Sequence, residues 1–161
     1  MNTFLDMQYK KLKTKMVPGA FRKMDVIVGS HLPPSYKKIE SLLTHFDNMY
    51  NQSKYTSKAQ QLIYALCSHH RLVWIHPFLD GNGRVSRLFL DYLLLKIDID
   101  GYGLWNISRG LARDADKYKE MLQYADMVAQ GFQDGRGPLS NRGLTAFLDF
   151  MLDTALIKLI I

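Results

Sequence analysis

Cysteine is nearly missing from this chain, with one residue, Cys67, among 161. No internal disulfide can form. Cys67 lies inside an apolar helical pattern and is expected to be buried as a small hydrophobe, in keeping with a reducing cytoplasm. No apolar run is long enough to cross a membrane. Lys10, Lys11, Lys13 and Lys15 near the start are not followed by the apolar stretch of a secretory signal. Acidic side chains are the minority, 15 against 21 Lys and Arg, giving a net charge of +6. Yet no basic run alternates with aromatics as a nucleic-acid groove would, so a nucleic-acid partner is not expected. What is present is ordinary globular composition, 47% hydrophobic and 22% charged. That suffices for one domain with a sizeable core.

One stretch concentrates the chemistry: His76-Pro77-Phe78-Leu79-Asp80-Gly81-Asn82-Gly83-Arg84-Val85-Ser86-Arg87. It opens with a histidine, the side chain best placed to move protons near neutral pH. Asp80 is a hard oxygen ligand suited to Mg²⁺. Gly81-Asn82-Gly83 can turn sharply and bring backbone N–H groups close to an anion. A buried helix is expected to begin near Gly83 or Arg84 and run through Leu88–Ile97, the most apolar and most central helix. Its N-terminus would offer unpaired donors and partial positive charge. Arg84 and Arg87, three apart, share one helical face and can fork onto adjacent phosphates. Base, metal carboxylate, anion-binding turn and arginine pair are the components of phosphoryl or nucleotidyl transfer. A polyphosphate substrate would account for part of the basic excess.

The rest of the chain reads as helices around this stretch. Residues 1–17 form an amphipathic N-terminal helical segment ended by Pro18-Gly19. A single globular domain, 18–161, follows. Val26, Ile27 and Val28 before Gly29-Ser30 predict a short β-hairpin within Ala20–Pro34. Helices are expected over Ser35–Tyr50, with Ser35 as N-cap, and over Lys58–Ile75. His69-His70 point to different faces with no second pair at i+4, so ordinary packing or a solvent contact is expected and not a metal site. Asp98 and Asp100 lack the remaining ligands of a calcium loop. One helix, with room for a break, is expected over Asn106–Ala129. Gln130–Asn141, with Gly131, Gly135, Gly137 and Pro138, reads as a loop. A last helix runs over Leu144–Ile161. Its uncapped apolar end predicts that the natural protein, or a partner, continues from there.

The His76–Arg87 stretch resembles the signature of the Fic family, His-Pro-Phe-x-(Asp/Glu)-Gly-Asn-Gly-Arg-x-x-Arg, at every fixed position. The resemblance implies a mainly α fold, a helical core with a short β-hairpin flap beside the active-site loop. It implies a protein adenylyltransferase, moving AMP from ATP to a Ser, Thr or Tyr hydroxyl of a target protein with release of pyrophosphate. His76 would be the general base. Asp80 would hold Mg²⁺ against the phosphates. Asn82 and the N–H groups near Gly81 and Gly83 would cradle the α-phosphate, Arg84 the β-phosphate and Arg87 the γ-phosphate. Gly19-Ala20-Phe21-Arg22 is similar to the segment before the family's flap, with Val28, Gly29, Ser30 and His31 at its tip. The target would dock there by strand addition. Ile107-Ser108-Arg109-Gly110-Leu111 is similar to the family's segment after the motif, which would place Tyr118, Leu122 and Asp126 by the adenine.

The family's inhibitory pattern, (Ser/Thr)-x-x-x-Glu-(Gly/Asn), is not found in full. Arg87 is therefore expected to be free of an inhibitory glutamate. The chain would be constitutively active, a fragment without its inhibitory helix, or held by a separate antitoxin. Alternative activities are a sibling transfer of UMP, phosphocholine or phosphate, and a non-catalytic nucleotide-binding interaction module.

Overall fold

A computed structural model describes residues 17–51, 54–55, 57–99 and 107–156 of the chain. The N-terminal segment expected over 1–17 falls outside these except for Val17, and so does most of the loop after Asp98. Among the described residues six α-helices carry the fold: α1 Ile39–Tyr50, α2 Lys58–Ile75, α3 Asn82–Lys96, α4 Ile107–Arg113, α5 Ala115–Ala125 and α6 Asn141–Leu156. A two-stranded antiparallel sheet, β1 Gly135–Arg136 and β2 Leu139–Ser140, pairs Gly135 with Ser140 and Arg136 with Leu139. The fold is mainly α, as expected.

The helices bury one stripe each, as their apolar spacing requires. Leu66 of α2, Leu90, Leu93 and Leu94 of α3, Leu111 of α4 and Phe147 and Met151 of α6 form one core. Phe46 of α1 packs with Leu72 and Ile75 of α2 in a second, smaller cluster. Burying each such side chain contributes about 1.5–3 kcal/mol. Both clusters include residues of α2, and Leu72 and Ile75 in the second fix its C-terminal end, where the chain enters His76.

Several elements differ from expectation. Ser35 makes no side-chain cap, and a 3₁₀ turn, Tyr36–Lys38, precedes α1. The cap comes from farther away: Asp25 Oδ1 accepts from the Tyr36 N–H at 2.8 Å. That bond lowers the Asp25 pKa. The helix expected over Asn106–Ala129 is two helices. Asp114 interrupts it and caps α5 by accepting from the Lys117 N–H at 3.3 Å. The second helix stops at Ala125, with Asp126 as its C-cap.

The 130–141 segment, expected as a loop, contains the sheet. Asp134 organises it, accepting from the Gln130 and Arg142 N–H groups and from the Ser140 hydroxyl at 2.7–2.9 Å. Those bonds hold the Asp134 carboxyl down at about 2. The hairpin expected in Ala20–Pro34 is reduced to one bridged pair, Val28 and His31, whose backbones exchange two hydrogen bonds at 2.9 and 3.0 Å across Gly29-Ser30. Helix α3 is not enclosed on all sides, because Leu88, Tyr92 and Leu95 are exposed along one face. It begins at Asn82, slightly earlier than expected.

Candidate functional site

The site grows from the break between α2 and α3. Helix α2 starts on Ser57, whose hydroxyl accepts from the Gln60 N–H at 3.2 Å, and it ends at Ile75. His76 follows in the left-handed region, φ +51° and ψ +59°. That conformation is uncommon for a residue with a Cβ, although histidine tolerates it better than most. Pro77 is fully buried behind it. Phe78 leans on Phe21, ring centroids 5.8 Å apart.

Asn82 closes the turn. Its side-chain oxygen accepts from the Phe78 N–H at 2.9 Å and its amide donates to the Phe78 carbonyl at 2.8 Å. The side chain is 3% exposed, so in this structure Asn82 shapes the loop from within. Gly81, φ +85°, turns the chain into α3. The first helical bond runs from the Val85 N–H to the Gly81 carbonyl at 2.9 Å. The N–H groups of Asn82, Gly83 and Arg84 thus precede the helical ladder, and an anion fits such an end.

Asp80 lies at the rim of this turn. One carboxylate oxygen accepts from the Gly81 N–H at 2.6 Å, and the other pairs with Arg84 at 3.2 Å. Both partners are largely exposed, so the pair is open to exchange for a ligand. A cavity of about 620 Å³ opens beside Asp80 and is also lined by Phe21, Met24, Phe78, Leu79 and Val85. Arg87 stands one turn further on. Its guanidinium is close enough to the Tyr118 hydroxyl to lower that group's pKa, and among the described residues no carboxylate is ion-paired with it.

His76 in this loop and the adjacent His69 and His70 of α2 sit in different settings. His76 is half-buried. Its Nδ1 is sealed from solvent with no well-formed hydrogen bond, which leaves Nε2 as the outward nitrogen. Burial pushes its pKa down to about 4, with His31 and Arg22 lowering it further and the Val73 carbonyl and Asp80 opposing. The ring is therefore neutral at pH 7 and able to accept a proton.

His69 is fully buried. Its Nδ1 faces the Ser86 carbonyl at 3.1 Å and must donate, so Nε2 accepts from the Tyr118 hydroxyl at 2.7 Å. Burial also holds His69 near 4. His70, likewise buried, faces Asp126 Oδ1 with Nε2 at 2.9 Å. The adjacent pair packs, as expected. Among the described residues no cluster of His, Cys, Asp and Glu suits a metal ion.

The resemblance of Gly19-Ala20-Phe21-Arg22 gives Arg22 no role of its own, and the structure gives it one. Its side chain is entirely buried. The guanidinium donates to the carbonyls of His76 at 2.8 Å, Met24 at 2.9 Å and Pro34 at 2.5 Å. Its backbone N–H donates to the Pro77 carbonyl at 2.8 Å. One side chain thus ties both ends of the Val28–His31 hairpin to the carbonyl of His76. The signal in the sequence was an arginine in an apolar neighbourhood just before the hairpin.

The residues expected by the adenine occupy varied positions. Tyr118 is buried in the core, and burial drives its pKa up to about 12 while Arg87 opposes the rise. Leu122 is partly buried against the same core. Asp126 lies between two histidines, Oδ1 on His70 and Oδ2 on His31 Nδ1, both at 2.9 Å. Burial raises its pKa, but the two histidine hydrogen bonds prevail and hold it at about 2. Cys67 is half-buried, and desolvation raises its thiol to about 11, which keeps it protonated at neutral pH. No helix among the described residues is long and apolar enough to cross a membrane.

Comparison with known proteins bears on this site. The Fic/DOC family model matches residues 3–94. The protein adenylyltransferase Fic of Drosophila willistoni is 44% identical over 78 residues, 48% of this chain and 16% of that protein. Its namesake in Aedes aegypti is 39% identical over 108 residues, 67% of this chain and 20% of that protein. The matched part is thus a fifth or less of those relatives' length. In backbone, the chain is similar to a Fic-domain-containing signalling protein from Bacteroides thetaiotaomicron, with a TM-score of 0.66 over 91% of this chain and 55% of that one at 20% identity. It is also similar to a Fic family protein from Desulfovibrio desulfuricans, with a TM-score of 0.65 over 97% and 44% at 18% identity. Both share the fold described above. With more than half of its length inside the family model, the chain belongs to the Fic/DOC family.

Proposed function

We propose that this chain is a protein adenylyltransferase that transfers AMP from ATP to a Ser, Thr or Tyr hydroxyl of a target protein and releases pyrophosphate. The observation that carries the reading is one loop that brings together an outward neutral imidazole nitrogen, a carboxylate, a helix N-terminus and two arginines. The names of the two insect relatives point the same way.

In this reading the first turn of α3 receives the α-phosphate on the N–H groups of Asn82, Gly83 and Arg84, where charge develops in the transition state. Arg84 and Arg87 take the β- and γ-phosphates. Asp80 fits a Mg²⁺ ion, because it is an exposed hard-oxygen donor beside the phosphate site and Mg²⁺ needs only one or two carboxylates with phosphates and waters. Bound there, the ion would supply charge neutralisation on the phosphates. The target hydroxyl gives its proton to His76 Nε2 as its oxygen bonds to the α-phosphorus. The bond from that phosphorus to the bridging oxygen breaks, and the electron pair leaves with pyrophosphate. The target segment pairs with the Val28–His31 flap by strand addition. Leu122 remains a candidate wall for the adenine, whereas the Tyr118 hydroxyl and the Asp126 carboxylate are committed elsewhere. Control by a separate antitoxin, or by an inhibitory helix outside this chain, belongs to the same reading.

The test is labelling of protein, in the chain and in a lysate, by α-labelled and γ-labelled ATP with Mg²⁺, for the wild type and His76→Ala. Transfer of the α label alone, lost in His76→Ala, is the expected result. Transfer of the γ label alone identifies a phosphate transferase. Label on no protein in either case overturns adenylyl transfer and leaves transfer of UMP or phosphocholine, or a nucleotide-binding interaction module.

A further inference from the structure

We infer that Asp126 is a positioning residue that locks the tip of the flap over the candidate base, gripping His31 with one carboxylate oxygen while His70 fixes the other. The flap needs such a lock. Its own backbone pairing is the single Val28–His31 pair, and an isolated hairpin is marginal in water even with more strand than this. Ile27, Val28, Gly29, Ser30 and Leu32 are exposed and give the tip no core of its own.

His31 is the exception, with its side chain only 13% exposed. Its Nδ1 lies 2.9 Å from Asp126 Oδ2 and its Nε2 lies 3.0 Å from the Trp74 carbonyl in the last turn of α2. Asp126 is in turn immobilised. It caps α5, and its Oδ1 accepts from His70 Nε2, on a side chain 1% exposed whose ring lies 5.7 Å from Phe147 of α6. The tip is thereby joined to α2, α5 and the core behind them. Arg22 holds the base of the flap at the His76 carbonyl, and His31 holds the tip, its ring centroid 6.3 Å from that of His76. Charge-assisted bonds of this kind contribute more than neutral ones, and they act where the backbone contributes little. A target strand added to the flap would then find an edge already fixed relative to His76, so less ordering is needed on binding.

The flap amides provide a readout that involves no nucleotide. Hydrogen exchange at positions 28 and 31, the two amides of the bridged pair, should quicken about tenfold or more in His31→Ala and in Asp126→Asn. His31→Asn keeps a donor about where Nδ1 stood and should return exchange to within about threefold of wild type. Because His31 lies on the flap, His31→Ala leaves the His70–Asp126 bond in place and should keep the thermal midpoint of the wild type. The kinetic arm rests on the adenylyl-transfer reading. KM for the target should rise about tenfold in His31→Ala, while kcat and the Kd for ATP change less than about threefold, and His31→Asn should restore KM. Unchanged exchange at positions 28 and 31 in His31→Ala overturns the lock. So does a fall in kcat and ATP affinity that matches the rise in KM. A chain that transfers no label fails the proposed function alone, since amide exchange still decides the lock.

Discussion

His76 adopts a backbone conformation that costs of the order of 1–3 kcal/mol for a residue bearing a Cβ. The Arg22 guanidinium on its carbonyl and the buried Pro77 behind it hold it there. Arg22→Ala would strand several buried carbonyls at once and should lower the unfolding free energy in urea by about 3 kcal/mol. His76→Ala should reduce transfer at least about 10²–10⁴-fold, while ATP affinity by calorimetry stays within about threefold. Tyr118→Phe would leave His69 Nε2 without a donor and remove the hydroxyl beside Arg87. It should destabilise the fold by about 1–3 kcal/mol and weaken ATP binding without removing the general base. At this scale the motif was fully legible, because twelve consecutive residues, His76–Arg87, carry it. Arg22 and His70 were not. Their partners, the carbonyls of Pro34 and His76 and the carboxylate of Asp126, come from distant segments that only the folded chain brings together.

Helix α3 presents the candidate phosphate-binding turn from a position packed against α2 and α4, and α5 and α6 make the most extensive helix–helix contact of the fold. A Cβ on Gly143 would stand 2.3 Å from the Tyr124 carbonyl oxygen. Gly143→Ala must therefore push α5 from α6 and should cost about 1–3 kcal/mol, read as a lowered urea midpoint. Helix positions were legible from apolar spacing, whereas their ends followed side chains that reach across. Asp25, not Ser35, caps the turn before α1, and Asp114 splits the helix expected over Asn106–Ala129. The glycines of 130–141 read as a loop because glycine marks turns in either setting. The pairing there depends on Asp134, whose three donors lie on both sides of it.

For the molecule as a whole, burial of neutral histidines sets the response to acid. His69 and His76 sit near 4 and His70 is lowered as well, against about 6.5 in an unfolded chain. Between those values the unfolded chain binds protons that the fold refuses, so stability falls as pH drops from about 6.5 towards 4. His69 alone accounts for roughly 3 kcal/mol at about 1.4 kcal/mol per pH unit. Asp126 and Asp134, both at about 2, add their loss only below about pH 4. The urea midpoint should therefore decline steadily from pH 7 to 4.5, and a flat profile would contradict the burial of these rings.

The central claim is that the loop and first turn of α3 grip a triphosphate with its α-phosphorus turned toward His76. The most direct measurement is a structure of the chain with Mg²⁺ and a non-hydrolysable ATP analogue. We expect the α-phosphate on the N–H groups of Asn82, Gly83 and Arg84, the β- and γ-phosphates on Arg84 and Arg87, and His76 Nε2 facing the open side of the α-phosphorus. A triphosphate reversed in the cleft, with its γ-phosphorus against His76, or bound away from α3 altogether, would contradict it.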